Sequence, residues 1–171
     1  MDDVLIGGIE KREIVIVDYD PRWPEQFQKH AGMLKQALGS KALAIEHVGS
    51  TSVPMLAAKP IIDILVVVED SADEAAYLPS LVQAGYVLRV REPDWHQHRM
   101  FEDRATHVHV FSAGDAEIER MVAFRDRLRR DDEDRARYAA AKRTQAARRW
   151  RHVQHYADAK SGVIEEILAR A

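Results

Sequence analysis

The sequence predicts a mixed α/β (α+β) fold, in which strands and helices alternate and a helical part follows at the C-terminal end. Short runs rich in β-branched residues occur between residues 13 and 111, separated by segments whose apolar residues recur at helical spacing. The run IIDILVVV (61–68) is apolar on both faces, which indicates a strand covered on both sides. After Gly114 the strand pattern stops, and helical periodicity continues to about residue 170.

The first part of the chain alternates strands and helices. The run EIVIV (13–17) predicts a strand, and the spacing of apolar residues predicts a helix over 24–38, with Gly39 as its C-terminal cap. LAIEHV (43–48) predicts the next strand. The small and apolar residues over 49–60 then predict a loop or short helix that leads into the buried strand.

The second part continues this alternation before the helical region. Residues 71–85 predict a helix interrupted near Pro79. YVLRVR (86–91) and THVHVF (106–111) predict two more strands, and the polar stretch 92–105 is interpreted as the connection between them.

Composition excludes several classes of protein. The 171 residues predict a single domain over 1–171, with a core over about 13–114 and a helical part over about 115–170. With 25 basic and 28 acidic residues, the net charge of −3 gives no reason to expect a polyanionic partner. The lack of cysteine excludes disulfides, thiolate metal sites and a cysteine nucleophile. No apolar run is long enough to span a membrane and no signal peptide is apparent, so we expect a cytoplasmic protein.

One carboxylate, Asp63, lies inside the apolar run 61–68, where an unpaired charge costs several kcal/mol. A Gly49-Ser50 turn directly follows the preceding strand. Glycine lets the backbone approach phosphates, serine donates to them, and a strand carboxylate ligates a divalent metal, so this order of residues is typical of nucleoside triphosphate sites. The alternative is an ordinary turn, with Asp63 accepting hydrogen bonds from backbone amides.

Histidines offer partners for this carboxylate. His107 and His109 are two residues apart and share one face of a strand, and His47 comes just before the Gly-Ser turn. If these strands are neighbours, His47, Asp63, His107 and His109 form a mixed nitrogen and oxygen site that favours Mn²⁺, Fe²⁺, Ni²⁺ or Zn²⁺ over Mg²⁺. Alternatively, the histidines hydrogen-bond Asp63 without a metal. Glu46 is expected to point away from His47.

Basic side chains near these strands are candidate anion contacts. Lys59 is held extended by the proline that follows it, and it reaches a phosphate if the loop folds over one. Arg104 approaches the strand of the two histidines and is the preferred additional contact. His96 and His98, in the polar connection, are interpreted as simple loop residues.

The stretch IEHVGSTSVPMLAAKPIIDILV (45–66), with YDPRWPEQF upstream and THVHVF, AFRDRLR and YAAAKR downstream, resembles the GrpB family of the nucleotidyltransferase-fold superfamily over about residues 13–168. The resemblance implies a small mixed β-sheet flanked by helices, with the Gly-Ser turn lining a nucleotide site. Gly49, Ser50, Lys59 and Asp63 occupy matched motif positions. Some relatives are fused to a dephospho-coenzyme A kinase domain, which suggests a setting in nucleotide or coenzyme metabolism.

Two positions depart from the pattern that the resemblance implies. The superfamily generally holds two metal ions with a pair of carboxylates two residues apart plus a third carboxylate on another strand. The partner position of Asp63 is occupied by Leu65, which cannot ligate Mg²⁺. Met55 stands where the family usually has glycine, and its side chain would narrow or reshape the pocket.

We therefore expect a metal-dependent nucleotidyltransferase that passes a nucleoside monophosphate from a nucleoside triphosphate to a small acceptor. Asp63 would hold Mg²⁺ or Mn²⁺, or a transition metal if the histidines ligate. The predicted nucleotide contacts are Gly49, Ser50, Thr51, Lys59 and Arg104. One alternative is a domain of the same fold that binds a phosphorylated ligand with altered or no catalysis.

The helical part suggests another alternative, a nucleic-acid partner. Residues 120–151 contain 12 basic and 5 acidic residues, and Trp150 among arginines is placed to stack on a base. Against this, arginines and acids alternate in the first part of this region, as on a solvated helix. Arg125 is expected either to pair with an acid such as Asp126 or to point into the site.

Overall fold

The computed structural model describes residues 5–6, 15–147 and 162–171. Five strands form one sheet: β1 (Ala44–Val48), β2 (Ile62–Val68), β3 (Val87–Glu92), β4 (His98–Asp103) and β5 (Thr106–Ser112). The described helices are α1 (Trp23–Leu38), α2 (Leu78–Gln83), α3 (Ala116–Arg130) and α4 (Asp132–Ala146), and residues 162–168 are also helical. None of these helices combines the length and apolar character needed to cross a membrane.

The sheet is mixed, as the resemblance implied. Its strands lie in the order β1-β2-β5-β4-β3, and the neighbours β2 and β5 are parallel while the other pairs are antiparallel. β4 and β5 form a hairpin with a two-residue turn at Arg104-Ala105. This order places β2, which carries Asp63, directly beside β5, which carries His107 and His109.

The main core lies on one face of the sheet. Even-numbered residues of β2 point to this face, where they pack with α1 and α2. Trp23 and Leu34 of α1 and Leu81 of α2 are fully or almost fully buried there, consistent with the predicted apolar stripe of the first helix. Burial of a large apolar side chain contributes about 2 kcal/mol to the free energy of unfolding.

The opposite face is covered in part by α3. Its residues Ile118, Met121 and Val122 pack on Leu65 of β2 and on Phe111 of β5. A third apolar cluster joins the loop after the Gly-Ser turn to the helical part of the chain, and its buried members are Val53, Leu56, Leu128, Tyr138 and Ile167. The helices after residue 115 therefore fix the position of the turn.

Most of the predicted elements that fall on described residues are confirmed, and three differ from the prediction. The predicted strand over 13–17 is wrong for its described residues, since only Val17 pairs, in an isolated bridge to Ala58. The polar stretch 92–105 is not a simple connection, because it contains β4. The helix predicted over 71–85 is reduced to a short 3₁₀ turn and the six residues of α2, since Pro79 allows a helix only at its first turn.

Candidate functional site

Three polar side chains meet on the face of the sheet that α3 covers in part. Asp63 of β2 and His107 of β5 are direct cross-strand partners, and His109 comes two residues after His107. Because alternate residues of a strand share a face, all three side chains project to the same side. The parallel pairing of β2 and β5 therefore brings Asp63 next to two histidines that follow it by 44 and 46 positions in the sequence.

The distances within this cluster suit a metal ion. Oδ1 of Asp63 lies 3.0 Å from Nε2 of His109 and 3.8 Å from Nδ1 of His107, and the three ligand atoms lie within 4.8 Å of one another. A metal with bonds of about 2.1 Å separates neighbouring ligand atoms by about 3.0 Å in octahedral and 3.4 Å in tetrahedral geometry. Two imidazoles and one carboxylate form a set that prefers transition metals over Mg²⁺.

His107 has little hydrogen bonding from the protein. Its Nε2 atom is buried and has no hydrogen-bond partner within the described part of the chain, and its Nδ1 faces Asp63 at 3.8 Å. Buried imidazoles are normally hydrogen-bonded. Of the two ring nitrogens, Nδ1 is the one directed at Asp63, so it is the atom of His107 that could share a ligand with the carboxylate.

Asp63 is ionised over the whole physiological range. Burial by itself raises its pKa, but the hydrogen bond from His109 and the charges of His109, His107 and Lys59 outweigh burial and lower the pKa to about 2. The carboxylate inside the apolar strand is therefore paired: His109 donates a hydrogen bond to it and His107 lies 3.8 Å away, while the charge of Lys59 adds to the lowering of its pKa. Asp63 keeps 29% of its side chain exposed, so the carboxylate remains accessible.

The Gly49-Ser50 turn lies in close contact with the carboxylate of Asp63. Gly49 has φ 73° and ψ −175°, a conformation that is open essentially only to glycine. A Cβ atom on residue 49 would lie 2.5 Å from Oδ2 of Asp63. Glycine is therefore required both by the backbone of the turn and by the close approach to Asp63.

The residues after Gly49 have different surroundings. Ser50 begins a short 3₁₀ turn and is half-buried. Thr51 is buried, and its hydroxyl donates to the carbonyl of Ile61 at 3.0 Å while accepting from Nε2 of His47 at 3.0 Å. The hydroxyl of Thr51 therefore links β1, through His47, to Ile61 at the start of β2, and both of its hydrogen bonds are made within the protein.

His47 is not brought into the three-residue cluster. It pairs with Ile64 of β2, so its side chain projects to the opposite face, where it stacks on Phe27 of α1 with ring centroids 4.8 Å apart. Burial lowers the pKa of His47 to about 4, although Asp63 opposes this shift, and its imidazole is neutral at pH 7. The antiparallel register of β1 and β2 explains why His47 lies outside the cluster, because it puts Glu46 and Val48 on the face of Asp63.

Leu65 is buried on the same face as Asp63, as the alternation predicted. Its cross-strand partner is His109, whose Nε2 atom reaches Asp63 from the neighbouring strand. A nitrogen ligand from β5 is thus available where a second carboxylate from β2 is missing.

Two arginines of α3 form hydrogen bonds with residues on either side of the Gly49-Ser50 turn. Arg125 donates to the carbonyl of His47 at 3.0 Å and to the carboxylate of Glu46 at 2.7 Å, and it also contacts Asp126. Arg129 donates to the carbonyl of Ser52 at 3.0 Å. Arg125 therefore pairs with acids, as one alternative predicted, and Arg129 is a cation at the turn that the sequence reasoning assigned to a solvated helix face.

The other predicted basic contacts lie at the edge of the cluster. Lys59 is half-buried and close enough to lower the pKa of Asp63. Arg104 is exposed at the β4–β5 turn with φ 52°, beside the starts of β2 and β5. Arg99 projects to the main-core face, where it pairs with Glu74 at 2.6 Å.

His98 is a site residue that the sequence reasoning missed. It is the first residue of β4, is buried, and lies 3.0 Å from Nδ1 of His109 through its Nε2 atom. His96, by contrast, lies in the β3–β4 loop, where it contacts Asp115 at 2.7 Å. The available signal is the alternation in HRMFED, which repeats the two-residue period of a strand just before a two-residue turn.

Two other expectations concern side chains outside the cluster. Met55 is 77% exposed and has φ 69°, so its side chain projects into solvent beside the turn. Trp150, on which base stacking depended, lies outside the described residues.

Comparison with known proteins agrees with the motif. The GrpB protein family matches residues 13–170. UPF0157 protein BH1888 of Halalkalibacterium halodurans is 53% identical over 175 residues, covering 100% of this chain and 90% of that protein. A dephospho-CoA kinase of Mycolicibacterium paratuberculosis is 31% identical over 191 residues, covering 95% of this chain and 47% of that protein. The crystal structure of conserved protein GrpB from Enterococcus faecalis is similar, with a TM-score of 0.79 at 33% identity over 91% of this chain and 98% of that chain. The chain therefore belongs to the GrpB family.

Proposed function

We propose that this protein is a metal-dependent nucleotidyltransferase, which transfers a nucleoside monophosphate from a nucleoside triphosphate to a small acceptor. The observation that carries the proposal is the contact between Gly49 and Asp63, which sets a glycine-serine turn directly against an ionised carboxylate. Glycine turns can bind phosphates and carboxylates can bind the metal on those phosphates, so the adjacency of this turn and this carboxylate supports a metal–nucleotide site.

Asp63, His107 and His109 would hold the divalent metal. The convergence of their ligand atoms within 4.8 Å supports this assignment, and the two imidazoles favour Mn²⁺ or another transition metal over Mg²⁺. Such an ion supplies positive charge that neutralises phosphate oxygens and orients the triphosphate. His47, on the opposite face of the sheet, is left out of the proposed ligand set.

The turn and its basic neighbours would hold the phosphates. Ser50 offers its hydroxyl, and the backbone at Gly49 and Ser50 is accessible to a phosphate because residue 49 has no side chain. Lys59 stands close to Asp63, and Arg129 is bonded to the carbonyl of Ser52. Arg104, at the start of β5, would contact the distal part of the ligand.

The transfer itself balances without a cofactor beyond the metal. The acceptor hydroxyl oxygen forms a bond to the α-phosphorus, the bond from that phosphorus to the β-phosphate oxygen breaks, and pyrophosphate leaves. With a pKa of about 2, Asp63 is a poor proton acceptor, so the hydroxyl proton passes to solvent and Asp63 acts as a ligand.

A second function is favoured by Leu65. Because this buried leucine removes one carboxylate from the usual two-metal set, the same pocket would serve a domain that binds a phosphorylated ligand without transferring it. Release of pyrophosphate separates the two functions, since only the transferase produces it.

Thermal unfolding tests the proposal. A nucleoside triphosphate at 100 times its dissociation constant stabilises the folded state by about 2.7 kcal/mol, which raises Tm by roughly 5–10 °C for a domain of this size. The increase should require Mn²⁺ or Mg²⁺ and should disappear in Asp63→Asn. Glu69→Gln is the matched control, because Glu69 is exposed just after β2 and carries the same charge. A metal-dependent increase that survives in Asp63→Asn would contradict the proposed site.

A further inference from the structure

A hydrogen-bonded line of four side chains runs across the sheet. Oε1 of Glu92 lies 2.9 Å from Nδ1 of His98, whose Nε2 lies 3.0 Å from Nδ1 of His109. Nε2 of His109 is in turn 3.0 Å from Oδ1 of Asp63. We call these four residues the Glu92–Asp63 line, and they come from β3, β4, β5 and β2.

Backbone pairing fixes this line. Glu92 and His98 are direct cross-strand partners on β3 and β4. His109 pairs with Met100, so His98 is its diagonal neighbour on the same face, within reach of a long side chain. The four side chains therefore meet because of strand register, without depending on a mobile loop.

Packing also holds the His98 ring in one orientation. His98 is 6% exposed and stacks on Phe111 with centroids 4.9 Å apart and planes 20° apart. The edge of Trp95 closes the other side, with centroids 5.4 Å apart. The loop that brings the chain into His98 contains two left-handed non-glycine residues, His96 and Gln97, at φ 54° and 47°. L residues rarely adopt this conformation, so the surrounding structure must hold the loop in place.

The donor and acceptor atoms of these four side chains determine which way each hydrogen bond of the Glu92–Asp63 line is made. An ionised carboxylate only accepts hydrogen bonds, so Nδ1 of His98 donates to Glu92. With Nδ1 donating to Glu92, the other ring nitrogen of His98, Nε2, is the atom that faces Nδ1 of His109 at 3.0 Å and is placed to accept from it. Without a metal, Nε2 of His109 donates to Oδ1 of Asp63. A metal bound between Asp63 and His109 would replace the proton on Nε2, and His109 would then keep its proton on Nδ1, directed at His98.

We propose that Glu92 and His98 are positioning residues that hold His109 in the tautomer and ring orientation needed to ligate a metal through Nε2. This inference rests on the metal site of the proposed function. Metal-bound histidines generally donate their other ring nitrogen to a carboxylate or carbonyl, and mutation of such partners weakens metal binding by about 10- to 100-fold. In this chain the carboxylate acts through a second histidine.

Titration of the full chain with Zn²⁺ or Mn²⁺ tests the inference without measuring activity. His98→Phe keeps an aromatic ring between Phe111 and Trp95 but removes both nitrogens, and it should weaken metal binding by about 10- to 100-fold. Glu92→Gln retains an oxygen acceptor of lower basicity and should show a smaller loss in the same direction. Because Glu92 is at the partly exposed end of β3, this variant keeps the test valid if His98→Phe folds poorly.

His96→Phe is the matched control. His96 also contacts Trp95 and a carboxylate, that of Asp115, but it has no bond to His109 in the described structure. Its affinity for the metal should equal that of the wild type. The visible absorption of bound Co²⁺ gives a second readout, since a change in the ligand field should appear in His98→Phe and be absent in His96→Phe.

The outcomes separate this inference from the proposed function. Weak metal binding in Asp63→Asn together with wild-type affinity and Co²⁺ absorption in both His98→Phe and Glu92→Gln would overturn the positioning role and leave the metal site in place. A wild-type chain that binds none of these metals would overturn the metal site itself, and the positioning role with it.

Discussion

Gly49 and Asp63 are in such close contact that the smallest side chain at residue 49 would lie 2.5 Å from the carboxylate. The turn and the carboxylate are therefore one structural unit. Any substitution at Gly49 must displace either the backbone of the turn, for which we propose phosphate binding, or Asp63, the proposed metal ligand.

Gly49→Ala should lower the free energy of unfolding by about 2 kcal/mol or more, because the glycine conformation and the contact with Asp63 are both lost. Urea denaturation of the wild type and the variant measures this difference in the free energy of unfolding. Gly32→Ala is the control, since residue 32 lies in α1 with nothing within 4 Å of the added Cβ, and it should raise stability by about 0.5–1 kcal/mol. Equal effects of the two variants would contradict the assignment.

Leu65→Asp should not restore a two-carboxylate site. Leu65 is fully buried in the cluster with Phe111 and α3, so an aspartate there loses apolar packing and buries a second charge beside Asp63. We expect a loss of about 4 kcal/mol in the free energy of unfolding.

Leu65→Met is the matched control for this change, because it conserves volume and should cost less than about 1.5 kcal/mol. A stable Leu65→Asp protein with stronger Mg²⁺ binding would contradict this expectation and show that the site accepts a second carboxylate.

Stability should fall in mild acid because of His47. Its pKa is lowered from 6.5 to about 4 by burial and by Arg129 and Arg125, so the unfolded chain takes up a proton at a higher pH than the folded chain. The free energy of unfolding should therefore decrease by roughly 3 kcal/mol as pH falls from 6.5 to 4.

His47→Gln removes this proton and keeps a donor for Thr51, so its stability should depend less steeply on pH. A residual slope is expected from His30, whose pKa is also lowered by burial. The comparison is made by urea titrations at several pH values. An unchanged slope in His47→Gln would rule out His47 as the main cause.

Glu74→Gln should destabilise the fold by about 2 kcal/mol. Its carboxylate accepts from Arg91 at 2.7 Å and from Arg99 at 2.6 Å, and hydrogen bonding to Arg91 and then to Arg99 lowers the pKa of Glu74 to about 2. Arg99 is buried, so loss of the negative charge leaves a buried cation uncompensated. The result is measured by chemical denaturation at pH 7.

Asp132→Asn is the control for Glu74→Gln. Asp132 also pairs with an arginine, Arg135, but its side chain is 91% exposed, and its removal should change stability by less than about 0.5 kcal/mol. A loss as large as that of Glu74→Gln would show that burial of the arginine is not the deciding factor.

Met55→Gly should stabilise the protein by up to about 1 kcal/mol. Met55 has φ 69°, which disfavours a side chain, and it is mostly exposed and loses little packing when removed. Met55→Ala keeps the unfavourable backbone and should show no gain. The difference between the two variants in urea denaturation isolates the backbone contribution, and identical stabilities would contradict it.

The sequence predicted α1 and the strands β1, β2, β3 and β5 because their apolar patterns match the face that each one buries. It missed β4 because that strand carries charged residues whose partners come from elsewhere in the chain. Arg99 is buried by pairing with Glu74, and His98 by contact with Glu92 and His109. The polar composition of residues 92–105 indicated a loop, but pairing with distant residues allows part of this segment to form a buried strand.

The candidate site was predictable in part. The side-by-side placement of Asp63, His107 and His109 followed from assuming that two strands are neighbours, and strand order confirms this neighbourhood. The face of His47 was not predictable, because a register shift of one residue in the β1–β2 pair exchanges the faces of Glu46 and His47. Register depends on packing that no local pattern specifies.

The strand order β1-β2-β5-β4-β3 has a consequence for how the chain folds. The β4–β5 hairpin closes over a two-residue turn and forms rapidly from local contacts, whereas β2 must dock beside β5 across an intervening segment of 37 residues, 69–105. Asp63 meets His109 only when that slow docking is complete. A metal ion bound by these residues would therefore slow unfolding of the whole sheet and leave the rate of hairpin formation unchanged.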